Sequence, residues 1–168
     1  MTAITYAPGR FVAVGSVYNN PVNVPKIFTS TNGLTWSEQT VSIPGYFTGI
    51  TYAEGTFVAT SGDGFGRQGR MLYSTNAQDW ATGSGDVTNA MYGVGFGNGV
   101  FVAVGYAGTI MTSADFGKSW IRQPSGTTEG LYTVGFGNGT FVTGDVYGHV
   151  LTSTNGSQWN SQGLNGGE

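Results

Sequence analysis

The fold is indicated by a stretch that reads VGFGNGVFVAVG at residues 94–105. Apolar residues flank the dipeptide Asn98-Gly99, which is typical of a two-residue type I′ hairpin turn. The same pattern recurs as ITYAPGRFVAVG at 4–15, ITYAEGTFVA at 50–59 and VGFGNGTFVTG at 134–144. The sequence therefore predicts four copies of one β-hairpin, whose second strands carry in register Phe11, Phe57, Phe101 and Phe141.

A second block follows each hairpin and ends in a tryptophan. These are Trp36, Trp80, Trp120 and Trp159, which are 44, 40 and 39 residues apart. A third strand is predicted to run through Ile27, Met71, Ile110 or Val150, and a fourth to begin at the tryptophan. Four strands in about 40 residues match the blade size of a β-propeller. One such sheet cannot bury both of its apolar faces, so the blades are expected to stack on their neighbours.

The predicted fold class is all-β, a β-propeller of four four-stranded blades in a single domain, 1–168. The blades are placed at about 1–44, 45–88, 89–128 and 129–168. The terminal blades keep the apolar pattern of the inner ones and show no polar cap, so both outer faces need a neighbour. The sequence favours two chains closing one eight-bladed ring. A four-bladed monomer stays open as an alternative, because inner-strand glycines would ease crowding at its axis: Gly93, Gly95 and Gly135.

Composition excludes several classes of protein. The chain holds 30 glycines and only 9% charged residues, with a net charge of −3. Its six basic residues are scattered, so no nucleic-acid partner is expected. Without cysteine there is neither a disulfide nor a thiolate metal site. No apolar run reaches the length of a membrane span and no signal peptide is visible, so membrane insertion is not expected. The compartment stays undetermined, with a secreted, cell-surface or virion protein favoured.

The turn before each tryptophan carries a further signature. SADFGKSW at 113–120 resembles, position for position, the Asp-box S-x-D-x-G-x-x-W of bacterial neuraminidase repeats. The turns at 30–36, 74–80 and 153–159 resemble a shorter variant with asparagine in place of aspartate. The chain is thus similar to Asp-box β-propeller repeat proteins, including repeat proteins of bacteria and phage tails. The residues that carry the resemblance are Ser30, Asn32, Trp36, Ser74, Asn76, Trp80, Ser113, Asp115, Gly117, Trp120, Ser153, Asn155 and Trp159.

This resemblance implies a structural role for the turn, away from any active site. Aspartate and asparagine side chains accept hydrogen bonds from backbone N–H groups two residues further on and so fix a tight turn. The glycine is expected to take a positive φ and the tryptophan to pack at the sheet edge. A shared fold does not imply a shared function, so the turns argue for architecture and not for an activity.

Catalysis is not expected from the sequence. A sialidase holds its substrate carboxylate with three arginines, whereas Arg10, Arg67, Arg70 and Arg122 do not occupy equivalent blade positions. The acidic residues show no pairing of the kind that a glycosidase needs. His149 is the only histidine and cannot form a multi-histidine metal site. We therefore predict no catalytic residues, no metal and no cofactor, and a sialidase-like glycosidase is the least favoured function.

The loops between second and third strands are the candidate binding elements. The first two blades carry insertions at 16–25 and 61–69, while the third and fourth have short loops at 106–108 and 146–148. Loops on a rigid scaffold often carry function, although these could equally be plain surface. The sequence favours a non-catalytic binding or scaffold module for carbohydrate or protein, with a purely structural assembly unit as the alternative. Candidate ligand-binding residues are Tyr18, Asn19, Asn20, Asp63, Phe65, Arg67, Tyr106 and Tyr147.

Overall fold

A computed structural model describes residues 1–19, 22–39, 41, 45–62 and 66–162, with only the backbone at 18, 22 and 23. In these residues no helix is long and apolar enough to cross a membrane. A short 3₁₀ turn, η1, spans Tyr106–Gly108. The strands are β1 (Ala3–Ala7), β2 (Arg10–Asn19), β3 (Val22–Ser30), β4 (Ser37–Gln39), β5 (Tyr46–Ala53), β6 (Thr56–Gly62), β7 (Arg70–Ser74), β8 (Ala81–Thr82), β9 (Met91–Gly97), β10 (Val100–Gly105), β11 (Ile110–Ser113), β12 (Ile121–Gln123), β13 (Leu131–Gly137), β14 (Thr140–Asp145), β15 (Val150–Ser153) and β16 (Asn160–Gln162).

These strands form four antiparallel sheets, each made of four consecutive strands in chain order. The prediction of an all-β protein with four-stranded blades is therefore confirmed. The tight turns follow the glycine pattern, since Asn98 and Gly99 both have positive φ (46° and 77°), as a type I′ turn requires. We call the sheets blades one to four, from β1–β4 to β13–β16.

Each blade repeats one cross-strand aromatic pair. Phe101 of β10 lies opposite Phe96 of β9, and their ring centroids are 4.7 Å apart. The equivalent pairs in the other blades have centroid distances of 4.9, 4.6 and 4.7 Å, and they are Tyr6–Phe11, Tyr52–Phe57 and Phe136–Phe141. Such directly opposed aromatic pairs stabilise a strand register.

The turn before each tryptophan is held by the side chain that the repeat places there. In blade one, Asn32 Oδ1 accepts hydrogen bonds from the backbone N–H groups of Leu34 and Thr35, both at 2.9 Å. In blade three, Asp115 Oδ1 accepts one from the Ser119 N–H at 2.9 Å. The Trp120 Nε1–H then donates to the Gly117 carbonyl at 3.0 Å. Side chain and backbone therefore close the turn and orient the indole ring.

Successive blades enclose three apolar cores. In the first core, Val12 and Val14 of blade one pack against Phe57, Leu72 and Trp80 of blade two. The second core joins blades two and three through Val58, Met71, Phe101, Met111 and Trp120. The third joins blades three and four through Val102, Ile110, Phe141, Leu151 and Trp159. Every blade thus presents a valine-bearing face forward and a phenylalanine–tryptophan face backward along the chain.

The outer faces of the end blades remain exposed. Val12, Val58 and Val102 have no exposed surface, whereas their equivalent in blade four, Val142, is 44% exposed. Ile4 of blade one is 57% exposed, against 8% for its equivalent Ile50. Across the described ranges, one chain therefore forms an array with two open faces and does not close a four-bladed ring by itself.

The insertion of blade one differs from the prediction of a loop at 16–25. Strands β2 and β3 continue their pairing outward from Gly15–Lys26 to Asn19–Val22, so the insertion lengthens a β-hairpin. Alternation of polar and β-branched residues allows this pairing to continue. The second insertion is described only at residues 66–69, where Arg67 forms an isolated bridge with Asn89.

Candidate functional site

The second-to-third strand loops and the connections between blades emerge on the same side of the molecule, which we call the loop face. In an antiparallel blade, these connections necessarily lie at the edge opposite the first hairpin turn and the tryptophan turn. The described segments of this face include 66–69, 83–90, 106–109, 124–130 and 145–149. Binding residues of repeat scaffolds are commonly found on such loops.

The loops of blades two and three form one hydrogen-bonded unit. Gln68 N donates to the Thr88 carbonyl at 3.1 Å, and Ala90 N donates to the Gly66 carbonyl at 3.2 Å. Tyr106 N donates in turn to the Ala90 carbonyl at 2.9 Å. The backbone on this part of the loop face is therefore fixed by the connection between the two blades.

Tyr106 lies against that unit with one side of its ring. A Cβ atom on Gly66 would fall 2.9 Å from the ring, so the Gly66 backbone contacts it directly. The residue is nevertheless 47% exposed. Glycine is needed at position 66 for this close approach and for its positive φ of 81°. The predicted residues Arg67 and Tyr106 are thus brought onto one loop unit.

A groove opens beside η1, between blade three and the connection that leads from it to blade four. Its volume is about 530 Å³, and it is lined by Ala107, Gly108 and residues 122–129. Arg122 Nη2 donates to Thr109 Oγ1 at 3.3 Å, which directs the guanidinium along the groove wall. Glu129 also lines the groove, and its N–H donates to Thr127 Oγ1 at 3.0 Å. The groove therefore combines a cation, a carboxylate and hydroxyl groups.

A pair of stacked tyrosines begins the inner strands on the same face. The rings of Tyr92 and Tyr132 have centroids 5.0 Å apart and an interplanar angle of 12°. Both residues fall where the pairing of the inner strand with its neighbour shifts register, between Met91 and Gly93 and between Leu131 and Thr133. A β-bulge of this kind turns a side chain out of the regular alternation. Tyr132 is 52% exposed and offers an aromatic surface to a ligand.

The loop of blade four is closed by hydrogen bonds to Asp145. Asp145 Oδ1 accepts hydrogen bonds from the N–H groups of Tyr147 and His149 at 2.9 and 3.0 Å, and Oδ2 lies 2.7 Å from His149 Nδ1. Desolvation would raise the pKa of Asp145, but the hydrogen bonds from His149 and Tyr147 outweigh it and hold that pKa below its ordinary value. Tyr147 remains 70% exposed at the tip of this rigid loop.

The predicted site residues therefore divide into two groups. Arg67, Tyr106 and Tyr147 are exposed on the loop face, in three different blades, and Asn19 is exposed at the end of β2. Asn20, Asp63 and Phe65 lie outside the described residues, as does the side chain of Tyr18.

Sequence reasoning missed the groove and the tyrosine pair. From the sequence, Arg122 is placed only among the arginines that do not occupy equivalent blade positions, and no role is assigned to the segment 124–129. Its run of polar residues without strand alternation is a signal that could have indicated a surface groove. The stacking of Tyr92 on Tyr132 had no comparable signal, since it depends on two bulges.

Comparison with known proteins shows the fold. No family model matches the chain, and no curated protein matches its sequence. Among solved structures it is similar to the computationally designed Ika4 protein, with 17% identity and a TM-score of 0.63 over 90% of this chain and 89% of that one. It is also similar to YCF48 bound to D1 peptide, with 16% identity and a TM-score of 0.70 over 95% of this chain.

The likeness extends to larger enzymes. The GH74 enzyme of Niastella koreensis is 18% identical with a TM-score of 0.63 over 94% of this chain. The chain spans 54% of the YCF48 chain and 23% of the GH74 chain, so it corresponds to part of each. The fold is that of a β-propeller repeat protein. At these low sequence identities, the comparisons show a shared fold and do not show a shared function.

Proposed function

We propose that this chain is a non-catalytic binding module of the Asp-box propeller class, and that it binds carbohydrate on its loop face. The observation that carries the proposal is the groove beside η1 of blade three together with exposed Tyr132 on the same face. Ligand sites are concave and combine apolar or aromatic surface with a few polar groups that fix orientation. The side chains of Arg122 and Glu129 supply those polar groups, together with the hydroxyls of Ser125, Thr127 and Thr128.

The arrangement of carboxylates supports a binding role over hydrolysis. Glycoside hydrolysis needs two carboxyl groups that flank one bond at a defined separation. Glu129 is the groove-lining carboxylate in the described part of the loop face, and Asp145 in the adjacent loop is occupied by His149 and two backbone N–H groups. The proposed module therefore holds its ligand without cleaving it.

A glycan array followed by titration calorimetry tests this proposal. We expect the wild-type chain to bind at least one glycan class, and Tyr132→Ala to weaken that binding by about tenfold or more, since a lost aromatic contact of about 1.4 kcal/mol corresponds to that factor. Leu34→Ala is the matched control, because Leu34 is 86% exposed on a tryptophan turn at the opposite side. Absence of glycan binding, or equal weakening by both variants, contradicts the proposal. Binding of peptides alone would favour a protein ligand instead.

The second candidate is a structural assembly unit. It is favoured by a different observation, the two open faces at the ends of the blade array. A binding module and an assembly unit are compatible, because the loop face and the end faces are separate surfaces.

A further inference from the structure

The two open end faces are the two halves of the interface that repeats inside the chain. We propose that a second copy of this chain docks head to tail on them, blade four of each chain against blade one of the other, so that two chains close one ring. This inference is independent of the ligand proposed for the loop face. It rests on four matches between the end faces and the internal interfaces.

The first match is apolar. Inside the chain, each forward-facing valine is covered by the phenylalanine–tryptophan face of the next blade, and Phe57, Phe101 and Phe141 are at most 3% exposed. The corresponding face of blade one carries Ile4, Tyr6, Phe11, Phe28 and Trp36, all partly or largely exposed. Blade four presents Val142 and Val150 for them to cover. Exposed apolar surface of this kind marks an interaction site.

The second match is steric. Gly97 at the end of β9 leaves room for the Phe136 ring of the next blade, because a Cβ atom there would lie 2.2 Å from that ring. Gly95 is likewise in close contact with the backbone of Val134, at 3.2 Å from its Cβ position. Their equivalents in blade four, Gly135 and Gly137, have no atom within 4 Å of the Cβ position. Blade four thus has an empty slot where Tyr6 of a second copy would lie.

The third match is a polar contact at the hairpin tip. Asn98 Nδ2 donates to the Thr154 carbonyl in the tryptophan turn of the next blade at 2.8 Å. Arg10 makes the same kind of contact from blade one, with Nη1 donating to the Asn76 carbonyl at 2.6 Å. Asn138 holds the position of Asn98 in blade four. The tryptophan turn of a second copy's blade one would supply the Thr31 carbonyl as its acceptor.

The fourth match lies in the glycine of the tryptophan turn. Cβ positions at Gly117 and Gly156 would fall 3.0 and 2.8 Å from Val58 and Val102 of the preceding blade. Gly33 of blade one contacts only its own Phe11 ring in this way. Exposed Val142 is the equivalent of the two valines, so Gly33 and Val142 form the missing pair.

Head-to-tail docking follows from the difference between the two faces. One face is rich in aromatic rings and the other in valine and glycine, so each complements the other and not itself. A head-to-tail contact gives a closed ring when its rotation closes. Two copies then bury all four open faces through two identical junctions.

The mass of the particle in solution tests this proposal. Multi-angle light scattering on the full chain is expected to give twice the 17.5 kDa of one chain. In G137L, the leucine has free space and no left-handed backbone in the single chain, but it fills the slot needed by Tyr6 of the partner copy. We expect this variant to melt cooperatively and to raise the dissociation constant by about a hundredfold, since each of two junctions is overpacked. Ser161→Leu, on exposed β16, is the control and should keep the wild-type mass.

Mixing variants identifies the faces involved. Ile4→Arg places a charge on the blade-one face, so it should give single chains on its own. When this variant is mixed with G137L, its unmodified blade four can dock on the unmodified blade one of the G137L chain. One junction of the mixed dimer is then wild-type, and two-chain particles should reappear. A wild-type mass of one chain, an open-ended distribution of larger masses, or an unchanged dimer in G137L would overturn the proposal.

Discussion

The Cβ position of Gly97 points into the ring of Phe136 in the next blade and would lie 2.2 Å from its Cγ atom. We expect Gly97→Leu to destabilise the folded chain by about 3 kcal/mol, the upper end of the usual cost of overpacking. Chemical denaturation followed by tryptophan fluorescence measures this loss. The same substitution at Gly137 should leave a folded chain, because that Cβ position is open. Equal destabilisation by the two substitutions would contradict the arrangement of blades three and four.

The tryptophans should contribute different amounts to the free energy of unfolding. Trp120 is 4% exposed and belongs to the core between blades two and three, so Trp120→Ala should cost about 3–5 kcal/mol. Trp36 packs against Phe11 of its own blade, with ring centroids 6.4 Å apart, and has no preceding blade in one chain. Trp36→Ala should therefore cost clearly less in dilute solution. The sequence alone predicts the same loss at all four positions, and an unchanged melting temperature for Trp120→Ala would contradict the repeat packing.

Particular residues show which features of the structure can be predicted from the sequence. The register of Phe101 opposite Phe96 follows from a two-residue turn at Asn98-Gly99, which local chemistry specifies. The four-stranded blades follow in the same way from the spacing of the tryptophans. The extended hairpin at 16–25 does not follow, because its residues suit either a loop or a strand. The stacking of Tyr92 on Tyr132 could not be predicted from the sequence either. Two bulges and the packing of β9 on β13 bring together these residues, which are 40 positions apart in the chain.

Acid should weaken the fold through two carboxyl groups. Desolvation would raise the pKa of Asp115, but hydrogen bonds from Ser119 and Ser113 outweigh it and lower that pKa below 3.8, as happens at Asp145. A carboxyl whose pKa is lowered by folding stabilises the fold above its unfolded pKa and loses that contribution as pH falls through the folded value. The melting temperature should therefore fall as pH is lowered from about 4, near the ordinary aspartate pKa.

The substitution Asp115→Asn isolates this effect. Asparagine already occupies the equivalent position in the other three turns, so the variant should keep its stability near pH 7. It cannot titrate, and its melting temperature should change less with acid than that of the wild type. Thermal melts at pH 7 and pH 3 give the comparison, and identical acid sensitivity of the two proteins would show that Asp115 is not involved.

We also expect no turnover of a fluorogenic sialoside. Arg10 contacts the blade-two turn, whereas Arg122 lies in the groove wall beside Thr109, so these two arginines do not share one site. The measurement is fluorescence release over a day at high protein concentration. Activity that survives purification and disappears in Arg67→Ala would establish a catalytic site that this interpretation excludes.

In the proposed ring the internal blade interface is repeated between chains, and an engineered disulfide can detect that repetition. The chain has no cysteine, so any disulfide that forms must join the introduced cysteines. Gly97→Cys with Phe136→Cys is the internal control, because the Gly97 Cβ position lies 2.2 Å from Phe136 Cγ, so the two introduced thiols lie next to each other, and a disulfide needs Cβ atoms no more than about 4.5 Å apart. It should cross-link within one chain.

The equivalent pair between chains is Tyr6→Cys with Gly137→Cys in one polypeptide. After mild oxidation and denaturing electrophoresis, we expect a single band at twice the mass of one chain, which reductant converts to the monomer. Neither single variant should give that band, since two copies of residue 6, or of residue 137, lie far apart in a head-to-tail ring. A monomer band from the double variant, while the internal control cross-links, would contradict the head-to-tail ring.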